Sequence, residues 1–172
     1  MRVYEWTGGT HWAPMGDAIE VPGPRGDHSV SLSAKGDRLA IGASHPGTQT
    51  VPGHVRAHEW NGTTWLLMGR PDDLAGDQGR SGRSVALSSD GARLAVGAYD
   101  GAYDGAGGAG GAGLYEWSPP RWVREADDAI LGAAADRLGG SVALSADGAV
   151  LASTPAANHT RHVRVASMLP QR

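Results

Sequence analysis

The sequence predicts an all-β fold, a β-propeller of four-stranded antiparallel blades of which about three are present, and three observations predict it. The first is the stretch Ser84 to Ala98, where apolar residues alternate on either side of Asp90-Gly91, the pattern of two strands joined by a tight turn. The second is its recurrence: a Ser-Val-x-Leu-Ser strand begins at Ser29, Ser84 and Ser141, a period of about 55 residues. The third is that all six Trp fall at two positions of that repeat, Trp6, Trp60 and Trp117 in one strand and Trp12, Trp65 and Trp122 in the next. Four short strands in antiparallel order make one unit of a radial repeat.

Each unit is read in the same order. The Ser-Val strand leads into a turn, at Lys35-Gly36, Asp90-Gly91 and Asp147-Gly148, with Asp-Gly expected to supply the two positive-φ residues of a type I′ hairpin. The second strand is Arg38 to Ala43, Arg93 to Ala98 and Val150 to Ala152, the last copy degrading at Ser153-Thr154-Pro155. A loop of variable length follows; in copy two it spans Tyr99 to Gly113, so rich in Gly that it is expected to be an unpacked surface loop. The third strand is Val55 to Trp60 and Leu114 to Trp117, matched by Arg2 to Trp6 at the start and His162 to Val165 at the end. A turn, as at Asn61-Gly62, then leads to a fourth strand carrying the second Trp, and acidic links lead to the next unit. The whole chain, residues 1–172, is read as a single repeat domain with copies at about 1–28, 29–83, 84–140 and 141–172, the first and last partial. Propellers close with roughly four to eight blades, so three blades are expected to belong to a longer propeller or to be completed by self-association.

Composition narrows the function classes. With 40% hydrophobic and 19% charged residues the chain has the make-up of a globular domain, and 27 Gly favour turn-rich β structure. The net charge of −3, with Arg scattered among acids and Lys35 the one Lys, argues against a nucleic-acid partner. The absence of Cys excludes disulfides and thiolate metal sites and leaves the compartment open. No apolar run is long enough to insert in a membrane, and the opening Met-Arg-Val-Tyr-Glu-Trp reads as a strand in progress rather than a signal peptide.

The residues Gly82-Arg83-Ser84-Val85, Asp90-Gly91 and Leu94 to Ala98 resemble the FG-GAP repeat of integrin alpha-subunit propellers. Leu138-Gly139-Gly140-Ser141-Val142 repeats the opening, with Leu138 where the family often has Phe. The third strand, read as a Val-Arg-Val-Tyr-x-Trp pattern and matched by Arg2 to Trp6 and by Leu114 to Trp117, is similar to the microbial and algal branch. The resemblance implies that the Ser84 to Ala98 hairpin forms the innermost strands of a blade and that the chain is a secreted or cell-surface binding or scaffolding module, not an enzyme. A carbohydrate-active propeller enzyme and a fragment without independent function are the alternatives. Integrin-type repeats often carry a calcium loop at this turn. Here each turn offers at most one acid, and copy one has Lys35 in that place, so neither metal nor cofactor is expected.

Candidate ligand-binding residues are few. Trp12, Trp65 and Trp122 suit a stacking platform for a glycan, although their repetition in every unit points to packing between sheets. Asp100 and Asp104, in the Gly-rich loop, are candidates for cation or ligand capture against the reading of a solvated loop. Arg25-Gly26-Asp27 matches a short adhesive tripeptide, a weak signal. Asp72-Asp73 and Asp127-Asp128 read as link acids, since neighbours on a strand point to opposite faces. The pairs His54/His58 and His159/His162 lack a third ligand for a metal. The Asn-x-Thr sequons at Asn61 and Asn158 are glycosylation acceptors only in a secreted eukaryotic chain. Protein or glycan ligands are the partners this reading expects.

Overall fold

The structure, a computed structural model, describes residues 1–21, 26–44, 53–74, 81–98, 109–125, 130–132, 136–155 and 163–167. Among them there is no helix; 14 strands form four antiparallel sheets. The first sheet pairs β1 (Tyr4–Trp6) with β2 (Trp12–Pro14). The second is a meander of β3 (Asp27–Leu32), β4 (Arg38–Ser44), β5 (His54–Trp60) and β6 (Trp65–Met68). The third repeats it with β7 (Ser81–Leu87), β8 (Arg93–Ala98), β9 (Gly111–Ser118) and β10 (Arg121–Arg124), and adds β11 (Ile130–Leu131), which pairs with the start of β9. The fourth holds β12 (Leu138–Leu144), β13 (Val150–Pro155) and β14 (Arg164–Ser167).

Alternation along these strands gives the second and third sheets two packed apolar faces, and the sheets stack in chain order. Ala40, Val55, Ala57, Met68 and Leu74 of the second sheet and its following turn meet Val85, Leu87, Leu94, Val96, Tyr115 and Trp122 of the third in one buried cluster. The next step repeats with Ala95, Ala112 and Leu114 against Leu151, Val142 and Leu144. Hydrogen bonds repeat with it. Ser29 Oγ donates to the Gly82 carbonyl at 3.1 Å and Ser84 Oγ to the Gly139 carbonyl at 3.0 Å. The amide of Ala34 donates to Ser89 O, and that of Ser89 to Ala146 O, both at 2.8 Å. Arg38 and Arg93 reach forward to the carbonyls of Asp90 and Gly148 in the following turn.

Glycine makes this close stacking possible. Gly82 and Gly139 (φ +82° and +94°) sit at bulges, between Ser81 and Ser84 and between Leu138 and Ser141, that push a carbonyl toward the preceding sheet. A Cβ on Gly42 or Gly97 would overlap that carbonyl. In the fourth sheet Thr154, the partner of Ser141, stands in the place of Gly42 and Gly97.

Three expectations are corrected. The Asp90-Gly91 turn is not type I′: only Gly91 has positive φ (+67°), and the loop spans Ser89 to Ala92, closed by Ser88 N–H donating to Arg93 O at 2.9 Å. The longer loop is held by the Asp90 carboxylate, which accepts from Ser88 Oγ at 2.6 Å and from Ala92 N–H at 2.9 Å. The end of the Gly-rich run, Ala109 to Gly113, is buried sheet rather than surface loop, because bare backbone admits the Leu138 carbonyl against Gly110. The second strand of copy three continues to Pro155, since backbone pairing with β12 and β14 does not depend on apolar side chains. Asp72 and Asp73 lie in the turn after β6, in the link where the sequence places them.

Candidate functional site

The repeat breaks at one place on β5. Strand alternation puts His54, Arg56 and His58 on one face, and their register with Ala43, Ile41 and Leu39 matches that of Gly111, Gly113 and Tyr115 with Ala98, Val96 and Leu94. Two bare backbone positions and a phenol ring are thus replaced by two imidazoles and a guanidinium. His28 joins the same face from β3, one strand beyond Ala43.

This face is not covered by a full preceding sheet. Residues 1–21 cross it instead: Met1, Val3, Met15, Ile19 and Val21 pack on Leu39, Ile41, Trp60 and Trp65, tied by Ile19 N–H to Met1 O at 2.9 Å and Met15 N–H to Val3 O at 2.9 Å. Between this strap and the sheet lies a cleft of about 720 Å³ lined by Ala18, Ile19, Glu20, Val21, His28 and Arg56, with Met1 at its edge. A hole of about 10 Å³, room for one water, lies among Glu20, His54, Arg56 and His58. A third recess of about 250 Å³ is lined by Asp17, Glu20, His58, Thr64, Trp65 and Leu67. Glu20 borders all three, an exposed acidic residue of the strap at the rim of the basic face.

Electrostatics set His58 apart. It is 6% exposed and its Nδ1 is buried without a hydrogen-bond partner. Burial, and secondarily the Arg56 charge beside it, lower its pKa from 6.5 to about 4, so the ring is neutral at pH 7. Arg56, half-buried, forms no salt bridge or hydrogen bond with another described residue. His54 and His58 are about 13 Å apart along the strand, with Arg56 between them, an arrangement that repels a cation. No group of three or more His, Asp or Glu placed for a metal occurs among the described residues.

The residues singled out in the sequence are dispersed. Trp12 is 63% exposed and packs edge-on against Trp6 at 5.5 Å. Trp65 and Trp122 are buried, each against its neighbour Trp60 or Trp117 at 5.4 Å, so neither offers a face to a ligand. Asp100 and Asp104 lie outside the described residues, as do Arg25, Asp127, Asp128, Asn158, His159 and His162. Asp27 pairs with Arg83 at 2.6 Å, and Asp73 accepts from the amides of Arg70 and Trp122, joining two sheets. Asn61 Oδ1 accepts from the amides of Thr63 and Thr64, closing its hairpin. The cleft residues Glu20, His28 and Arg56 were missed. The signal available was the mismatch of His54, Arg56 and His58 with Gly111, Gly113 and Tyr115 once the copies are aligned.

No family model matches the chain, and no curated protein matches it by sequence. Among solved structures it is similar to Kuenenia stuttgartiensis hydrazine synthase, with 14% identity and a TM-score of 0.50 over 81% of this chain. The match covers 44% of that chain, so this protein spans less than half its length. The class this supports is an all-β protein of stacked antiparallel sheets, and the likeness concerns the fold alone.

Proposed function

We propose that this chain is a non-enzymatic binding module built of FG-GAP-like propeller blades, and that its ligand sits in the cleft between the strap and the second sheet. The grouping of strands as two, four, four plus one, and three supports the blade reading, as does the sheet-to-sheet step that recurs with the same hydrogen bonds. One observation carries the functional reading: the face that is Gly, Gly, Tyr in the third sheet is His, Arg, His where the sheet is open to a cleft. A packing role recurs from unit to unit, whereas a recognition site is local. A cleft of this volume falls within the roughly 300–1,000 Å³ of small-molecule sites.

The test replaces the odd face by its counterpart. The triple variant His54→Gly, Arg56→Gly, His58→Tyr is compared with the parent chain in a screen of glycans and protein ligands, with circular dichroism to check the fold. Ligands of the parent are expected to be lost by the folded variant. Equal binding by the two chains would place the ligand elsewhere and defeat the reading.

A further inference from the structure

Taking the cleft as the ligand site, we infer that it selects an acidic saccharide, one carboxylate on a body of hydroxyl groups, with Arg56 holding the carboxylate. Three features carry this. Arg56 is a half-buried cation on the cleft wall with no partner among the described residues, and a guanidinium pairs with a carboxylate in a planar, two-pronged geometry. His58, 6% exposed, borders the two recesses behind it and carries a buried Nδ1 without a hydrogen-bond partner. A hydroxyl both donates and accepts, so it satisfies that nitrogen in either tautomer of the neutral ring.

The third feature separates a saccharide from an acidic peptide. Glu20 borders every recess and Asp17 one of them, and both are acceptors when ionised. A run of Asp or Glu would meet these carboxylates with like charge, whereas sugar hydroxyls donate to them. A uronic acid brings one carboxylate for one guanidinium and donors for the remaining acceptors. His28 on the cleft wall adds one further hydrogen-bonding ring.

The experiment is calorimetric titration of the full chain with the methyl glycosides of galacturonate, glucuronate and mannuronate, each a single sugar with one carboxylate, their methyl esters, and a glutamate trimer. At least one uronate is expected to bind about tenfold or more tighter than its ester, the loss of one charge-assisted contact. Arg56→Gln is expected to erase that difference between acid and ester. Equal affinity for acid and ester, an Arg56→Gln variant that keeps the preference, tighter binding of the glutamate trimer, or no uronate binding at all would overturn the inference. If a neutral glycan or a protein binds instead and is lost in the triple variant, the cleft remains the site and only its acidic ligand is withdrawn.

Discussion

His58 shows how one residue changes what a repeat position does. Its counterpart Tyr115 is 2% exposed within a cluster of apolar side chains, a large ring that its position can bury. An imidazole in that place must be buried neutral, which holds its pKa at about 4, below the 6.5 of the unfolded chain. A depressed His pKa contributes its full stability above pH 6.5; as pH falls from there toward 4 the unfolded chain takes up a proton that the folded chain refuses. Stability is therefore expected to drop by an amount on the order of 3 kcal/mol across that window. His58→Tyr should flatten the dependence, which urea denaturation at pH 7.5 and 4.5 measures; an unchanged slope would mean that His58 is not the group responsible. Asp37 makes a related point. Copies two and three hold the turn through Asp90 and Asp147, whose pKa values are lowered chiefly by the hydroxyls of Ser88 and Ser145. In copy one Lys35 takes that position, and Asp37, two residues later, accepts from Ser33 Oγ at 2.7 Å instead. The turn is kept by moving the carboxylate, a substitution invisible to a motif match at fixed spacing.

At the scale of elements, two kinds of glycine carry different loads. Gly36 needs its glycine for a positive φ of +70° and has open space around it. Gly97 sits in an ordinary strand, yet a Cβ there would strike the Gly139 carbonyl and Ser84 Oγ. Gly36→Ala is expected to cost about 1 kcal/mol, the steric cost of a left-handed residue. Gly97→Ala, which must push two sheets apart, is expected to cost about 3 kcal/mol or to prevent folding. Chemical denaturation of the two variants gives the order, and a tolerant Gly97→Ala would show that the sheets do not stack as closely as described. The hairpins themselves, the meander order and the positions of the Trp residues were legible in the sequence, because alternation and turn residues act over a few positions. The type I′ assignment and the loop reading of Ala109 to Gly113 failed, because a neighbouring sheet and a side-chain carboxylate decided those conformations.

Across the whole molecule, stability accumulates at the interfaces between stacked sheets. Val85 and Leu87 are 7% and 8% exposed under the preceding sheet, while their counterparts Val30 and Leu32 are 56% and 50% exposed where only the strap precedes them. Full burial of such side chains contributes roughly 1.5–3 kcal/mol each. At the other end Val163 and Val165 are 62% and 65% exposed. In a stack where each sheet touches only its neighbours, protection should peak in the middle. Hydrogen exchange is expected to be slowest in β4, β5, β8 and β9 and fastest in β1, β2 and β14, as mass spectrometry of peptic fragments measures. Uniform protection would instead indicate a closed arrangement in which every sheet has two neighbours.

What the sequence determined by itself is the local and the periodic: an all-β chain, strands of known order, turns at known residues and a repeat of about 55 positions. Those follow from side-chain alternation and backbone preference, which are written along the chain. What only the tertiary structure decided is which repeated positions are covered. Burial turned Trp65 and Trp122 into packing and left Trp12 exposed. The strap, crossing a sheet face instead of covering it, left a cleft in which Glu20 shares the wall with His28 and Arg56. Coverage depends on contacts between residues far apart in the chain, and no local pattern encodes them.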